Sequence, residues 1–147
     1  MRKVFQYILY PYVNIFTRYY IRKYKISDVV KKDVERMAIE YGFRINRNTG
    51  AKLFLYPYSC FRDVFYFRCN DRCRLLSFFF KRYPLLTLNK GMKAEGGAFY
   101  FHHPYATYIN AEYVGYGCTF RNNTTIGNTA KGKPSLLGGQ ILVLIPA

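Results

Sequence analysis

What this chain has little of narrows its function before anything it contains. It has no tryptophan, eight acidic residues against 23 basic ones, two histidines and four cysteines. No apolar run reaches the ~18 residues needed to cross a bilayer, so a membrane-spanning helix is not expected. Cys60, Cys69, Cys73 and Cys118 lack paired CxxC spacing, which argues against a zinc site and for reduced thiols. Met1-Arg2-Lys3 ahead of Val4–Phe16 has the outline of a signal peptide. Gln6, Pro11 and Asn14 interrupt it, and no small-residue cleavage site follows. These absences predict a cytoplasmic protein with no metal.

What is present is apolar, aromatic and basic. Half of the 147 residues are hydrophobic, enough for a real core. Sixteen tyrosines and 13 phenylalanines can pack a core, cover an interface or lie on a membrane surface. A net charge of +15 attracts nucleic acid, acidic lipid or nucleotide phosphates alike. The basic residues are dispersed, densest over Arg18–Lys32 and Arg62–Arg82, which reads as a solvated face. No RNP-like motif accompanies them, so nucleic acid is not the expected partner.

The chain changes character near Pro84. Before it the periodicity is helical. Val29, Val30, Asp33, Val34, Met37, Ala38 and Tyr41 form one stripe, with Asp28 as N-cap, Gly42 as stop and Asp33 as the polar exception. Arg44–Gly50 reads as a turn-rich link. A second helix is predicted from about Tyr58 to Phe80, with Arg62, Arg68, Arg72 and Arg74 on its polar side. Val4–Tyr24 is predicted helical, bent or broken at Pro11.

After Pro84, glycines at 91, 96, 97, 115, 117, 127 and 132 punctuate β-branched and polar residues. Val114, Phe120 and Ile126 begin three segments six residues apart. A period of six fits a triangular β-helix, in which each short face turns one aliphatic group inward and each corner needs a small or polar residue. Gly115, Asn122 and Gly127 suit those corners. A β-meander with glycine turns would give a similar pattern.

One run decides between them: His103-Pro104-Tyr105-Ala106-Thr107-Tyr108-Ile109-Asn110-Ala111, then Val114-Gly115, then Thr124-Thr125-Ile126-Gly127-Asn128-Thr129-Ala130-Lys131-Gly132-Lys133-Pro134. From Thr87 to Pro134 the chain resembles the hexapeptide-repeat acyltransferases, serine acetyltransferases above all. The resemblance implies an α+β fold: a helical cap over residues 1–85, then the first coils of a left-handed parallel β-helix over 86–147. It implies acetyl transfer from acetyl-CoA to a hydroxyl, with a histidine as general base. That base falls on His103 by the family motif, or on His102 if the alignment runs back from Val114 without a gap. Neighbours in a strand point to opposite faces, so only one of them serves a given cleft.

Gly127, Asn128, Thr129, Lys131 and Lys133 fall where the family holds coenzyme A, and Tyr105, Tyr108, Asn110 and Asn122 are candidates for the acceptor. The resemblance also implies a homotrimer with active sites between subunits, for which Tyr105, Tyr108, Tyr113 and Tyr116 offer contact. The basic aromatic N-terminal segment allows peripheral membrane contact.

The departures are informative. The family's aspartate before the histidine is missing from Leu86-Thr87-Leu88-Asn89, leaving Glu95 as the nearest carboxylate. Its second histidine is missing from residues 130–134. Both losses weaken serine as the acceptor and favour a sugar or polysaccharide hydroxyl, the alternative to serine. From Ser135 the hexad register is expected to fail, and the chain reads as a truncated form, inactive if the missing coils are needed. One set of codons for Ile141–Ala147, read two bases later, gives Ile-Gly-Ala-Asn-Ser-Cys, a next hexad, which points to a frameshift.

Overall fold

A computed structural model describes residues 8–15, 18, 27–56, 60–69, 80–127 and 136–137. Among them the fold is mixed α+β: helices first, then short parallel strands.

Helix α1 covers residues 8–15 and passes through Pro11, where the sequence had predicted a bend or break. Helix α2, Ser27–Glu40, follows the expected stripe: Val30, Asp33, Met37 and Ala38 are buried, and Val29, Val34 and Tyr41 half-buried. Asp28 sits in its first turn, where a carboxylate favours the positive end of the helix. Gly42 takes φ +69°, and the Phe43 N–H reaches back to the Ala38 carbonyl at 2.8 Å, closing the helix as glycine at this position allows.

Helix α3, Thr49–Leu55, lies partly in the stretch expected to be a link. Asn46 accepts the Asn48 N–H (2.9 Å), and Thr49 Oγ1 accepts the Asn46 N–H (2.8 Å) while donating to the Arg44 carbonyl (3.0 Å). These local bonds start the helix that Ala51, Leu53 and Phe54 anchor by burial. Helix α4, Phe61–Cys69, lies in the first half of the predicted Tyr58–Phe80 helix. Residues 4–7, 16–17, 19–24, 57–59 and 70–79, Cys73 among them, lie outside the described residues. Phe54 meets Phe65, Tyr66 and Phe80 edge-on at 5.7, 5.8 and 5.4 Å, so aromatic pairing holds α3 on α4.

The strands are β1 (Leu86–Leu88), β2 (Lys93–Ala94), β3 (Phe99–His102), β4 (Thr107–Ile109), β5 (Tyr113–Val114), β6 (Cys118–Arg121), β7 (Thr125–Ile126) and β8 (Leu136–Leu137). All pairings are parallel, and every third strand shares a sheet: β1-β4-β7, β2-β5-β8 and β3-β6. Val114, Phe120 and Ile126, the hexad leaders, thus lie on β5, β6 and β7, one in each sheet. Leu136 and Leu137 pair with Tyr113 and Val114. The pairing therefore continues past Ser135, where the sequence pattern had been expected to fail.

Side chains alternate inward and outward along β1 to β7. Leu88, Ile109 and Ile126 are stacked by register, as are Phe101 and Phe120, whose rings lie 5.3 Å apart. The inward Thr107 and Thr124 are buried, and both hydroxyls donate to the Arg121 carbonyl (3.1 and 2.8 Å).

The corners stack as well. Leu85, Ala106 and Asn123 hold successive register positions before β1, β4 and β7, and all three take left-handed φ of 50–58°. Gly97 and Gly117 repeat at a second corner, with φ of +73° and +90°. At the third, Asn89 donates its side-chain amide to Asn110 at 2.6 Å, and Gly127 follows Asn110 in register.

The cap grips the first coil through one buried ion pair. Arg68 of α4 meets Asp33 of α2 at 2.9 Å, then donates to the carbonyls of Ala94 (2.6 Å) and Glu95. Asp33 also accepts the Gly97 N–H at 2.7 Å. Arg68 was expected on a polar face; its acceptors lie inside, so it is buried. Burial pushes the Asp33 carboxyl up, and the Arg68 bonds and the Gly97 amide oppose that rise.

Candidate functional site

The histidines stand at the corner between β3 and β4. His102 is the last residue of β3, outward-facing and paired in register with Arg121. His103 leaves the strand with φ +55°, a conformation uncommon for a residue with a Cβ. The backbone turns again at once: the Tyr105 N–H donates to the His103 carbonyl at 2.8 Å, a tight turn about Pro104. The corner is two residues longer than its counterpart in the next coil. His102 pairs with Arg121, 19 residues on, whereas Tyr108 pairs with Thr125, 17 residues on.

This geometry corrects one expectation. The two imidazoles do not point to opposite faces of a strand, because His103 is no longer in it. Their rings meet edge-on, with centroids 4.6 Å apart, and both line the same cavity of about 280 Å³.

The cavity lies where the cap meets the first coil. Pro104, Phe101, Tyr41, Tyr56, Tyr83 and Tyr100 complete its lining. Tyr41, at the end of α2, contacts Tyr56 at 5.6 Å and Tyr100 at 6.0 Å. Tyr56 leans edge-on against Phe43 at 5.5 Å. Tyr83 is held from behind, where its N–H donates to both carboxylate oxygens of buried Asp63 (3.2 and 3.1 Å). Burial holds that carboxyl up at about 6, against the pull of the Tyr83 amide. Burial likewise pushes the Tyr41 hydroxyl well above the ordinary phenol range, with the Cys60 thiol adding to the rise. The Cys60 thiol is itself pushed up to about 12, chiefly by burial. It is therefore a protonated, unreactive group at neutral pH.

None of the four cavity tyrosines was a sequence candidate. The signal available was residue type: among the described residues, fully buried aromatics are phenylalanine at Phe54, Phe61, Phe65, Phe99, Phe101 and Phe120, with Tyr66 the exception. The cavity wall carries a polar tip on each ring, as amphipathic walls do.

The other candidates divide between two corners. Tyr105 is exposed beside the histidines, its carbonyl accepting the Asn123 N–H at 2.8 Å. Asn122 is exposed and directly follows Arg121, the register partner of His102. Asn110 lies at the far end of β4, bonded to Asn89, with Gly127 next in the stack. Among the described residues, a Cβ at Gly127 would meet nothing within 4 Å. Asn128, Thr129, Lys131 and Lys133 lie outside the described residues. Glu95 does not serve the histidines: its carboxylate accepts from the Tyr113 hydroxyl and, at 2.9 Å, from the Tyr116 N–H, and these bonds hold it below the usual range. Among the described residues no group of three His, Cys, Asp or Glu could hold a metal, and no helix is long and apolar enough to cross a membrane.

No family model, curated protein or solved structure gives a significant match to the chain.

Proposed function

We propose that this chain is an acetyl-CoA-dependent O-acetyltransferase of the serine acetyltransferase type, its strands forming the first coils of a left-handed parallel β-helix. Three observations support the fold reading: every third strand pairs in parallel, apolar residues stack from coil to coil, and equivalent corners repeat Asn, Gly or left-handed positions.

The observation that carries the activity is the exposed imidazole pair at a corner, opening into a cavity beside the cap. In the proposed reaction His103, or His102 in its place, removes the proton from an acceptor hydroxyl as its oxygen attacks the thioester carbonyl. The tetrahedral oxyanion collapses, the C–S bond breaks and the imidazolium returns the proton to the departing thiolate. An O-acetyl ester and free coenzyme A result, and no redox partner is needed. Backbone N–H groups at the glycine-rich corners are the proposed oxyanion donors.

Gly127 opens the corner proposed for the pantetheine arm of coenzyme A, with Asn128, Thr129, Lys131 and Lys133 following it in sequence. That corner and the histidine corner lie at opposite ends of β4 within one chain. A trimer setting one copy's histidine corner against a neighbour's Gly127 corner would unite them.

The test is incubation of the chain with acetyl-CoA and either L-serine or a saccharide, following thiol release and O-acetyl product by mass spectrometry. Acceptor-dependent thiol release with an ester product is expected. Thiol release with neither acceptor would refute the assignment.

A further inference from the structure

We infer that the cavity beside His102 and His103 binds the acceptor, and that this acceptor is an uncharged pyranose ring rather than an amino acid; the inference deepens the transferase reading and rests on it. Four phenol rings, from Tyr41, Tyr56, Tyr83 and Tyr100, wall the space beside the two imidazoles. A sugar ring presents an apolar C–H face and a rim of hydroxyls. Aromatic faces pack against the first, and phenol hydroxyls can donate to or accept from the second.

Charge argues the same way. Among the described residues the lining includes no Lys, Arg, Asp or Glu. Serine would bring a carboxylate and an ammonium group into an aromatic wall that pairs neither, and burying an unpaired charge is costly. The nearby acids are engaged elsewhere: Asp63 holds the Tyr83 backbone, and Glu40, whose charge reaches Tyr100, lies 3.8 Å from Arg36.

Size sets the third limit. About 280 Å³ lies near the lower end of small-molecule pockets, which run roughly 300–1,000 Å³. One monosaccharide unit fits that scale, whereas a coenzyme A molecule does not. The acceptor hydroxyl would face His103 from the cavity, leaving the thioester to approach from solvent.

The wall is assembled from the ends of α2, α3 and β3 and from the segment before β1. The cap therefore has a role in choosing the acceptor as well as in covering the coil.

Saturation-transfer NMR on the 147-residue chain tests binding without requiring turnover. The probes are methyl pyranosides of the gluco, galacto, manno and 2-acetamido-gluco configurations, with L-serine as the comparison. Saturation is expected on the ring protons of at least one glycoside and not on serine. Tyr56→Ala removes one wall at a partly exposed position and should weaken that glycoside roughly tenfold. Tyr56→Phe keeps the ring face and should retain most of the binding, and far-UV circular dichroism confirms that each variant is folded. No transfer to any glycoside, transfer to serine, or glycoside binding unchanged in Tyr56→Ala would overturn the inference. Glycoside binding without thiol release from acetyl-CoA would instead refute the transferase reading and leave the saccharide site standing.

Discussion

Arg68 Nε lies 2.9 Å from Asp33 Oδ2, and the two side chains are 7% and 1% exposed. Their remaining bonds go to Ala94, Glu95 and Gly97, the corner between β2 and β3, so a single ion pair fastens two helices to the first coil. Removing one member strands a buried charge. Asp33→Ala and Arg68→Met should each cost about 3–5 kcal/mol. The double replacement should cost less than the sum of the two, because no charge is left unpaired. Urea unfolding of all four proteins measures the coupling; simple additivity would contradict the arrangement.

The same corner leaves no room for a methyl group. A Cβ on Gly96 would lie 2.8 Å from the Val29 carbonyl oxygen and 2.9 Å from its Cα, both backbone atoms of α2. Gly96→Ala should therefore destabilise the chain by about 1–3 kcal/mol. A melting temperature equal to the parent's would show that α2 does not seat on the coil this closely.

Asp63 links the cavity wall to pH. Its folded value, about 6, lies above its ordinary 3.8. Between those values the folded chain holds more protons than the unfolded one, so this group's contribution to stability falls as pH rises through that window. Asp63→Asn retains an acceptor for the Tyr83 N–H and removes the charge. Melts from pH 4 to 7 should show a flatter profile for the variant, which should be more stable than the parent at pH 7 and similar to it near pH 4. A variant less stable at pH 7 would contradict the burial argument.

Much of the cap was legible because its pattern is local. The stripe from Val29 to Tyr41 and the stop at Gly42 follow from helical spacing alone. Asp33, the one polar member of that stripe, was the visible trace of a partner elsewhere, but its pairing with Arg68 depends on tertiary approach. Helix α3 was missed because Asn46, Asn48 and Gly50 signal turns, while burial of Ala51, Leu53 and Phe54 overrides that preference. In the strands, the six-residue spacing of Val114, Phe120 and Ile126 was readable. Going backwards, the longer corner from His103 to Ala106 breaks the count, so spacing alone left His102 and His103 unresolved. The tyrosine wall was hidden for a plainer reason: its members come from residues 41, 56, 83 and 100, which only the folded chain brings together.

The most direct test of the central proposal is the rate of thiol release from acetyl-CoA in the parent, His103→Ala and His102→Ala proteins, with the acceptor the parent uses. Loss of a general base costs roughly two to four orders of magnitude, and His103→Ala should show it. If His102→Ala is the crippled variant instead, the base is its neighbour and the assignment within the pair is wrong. Full activity in both variants would contradict histidine base catalysis at this corner.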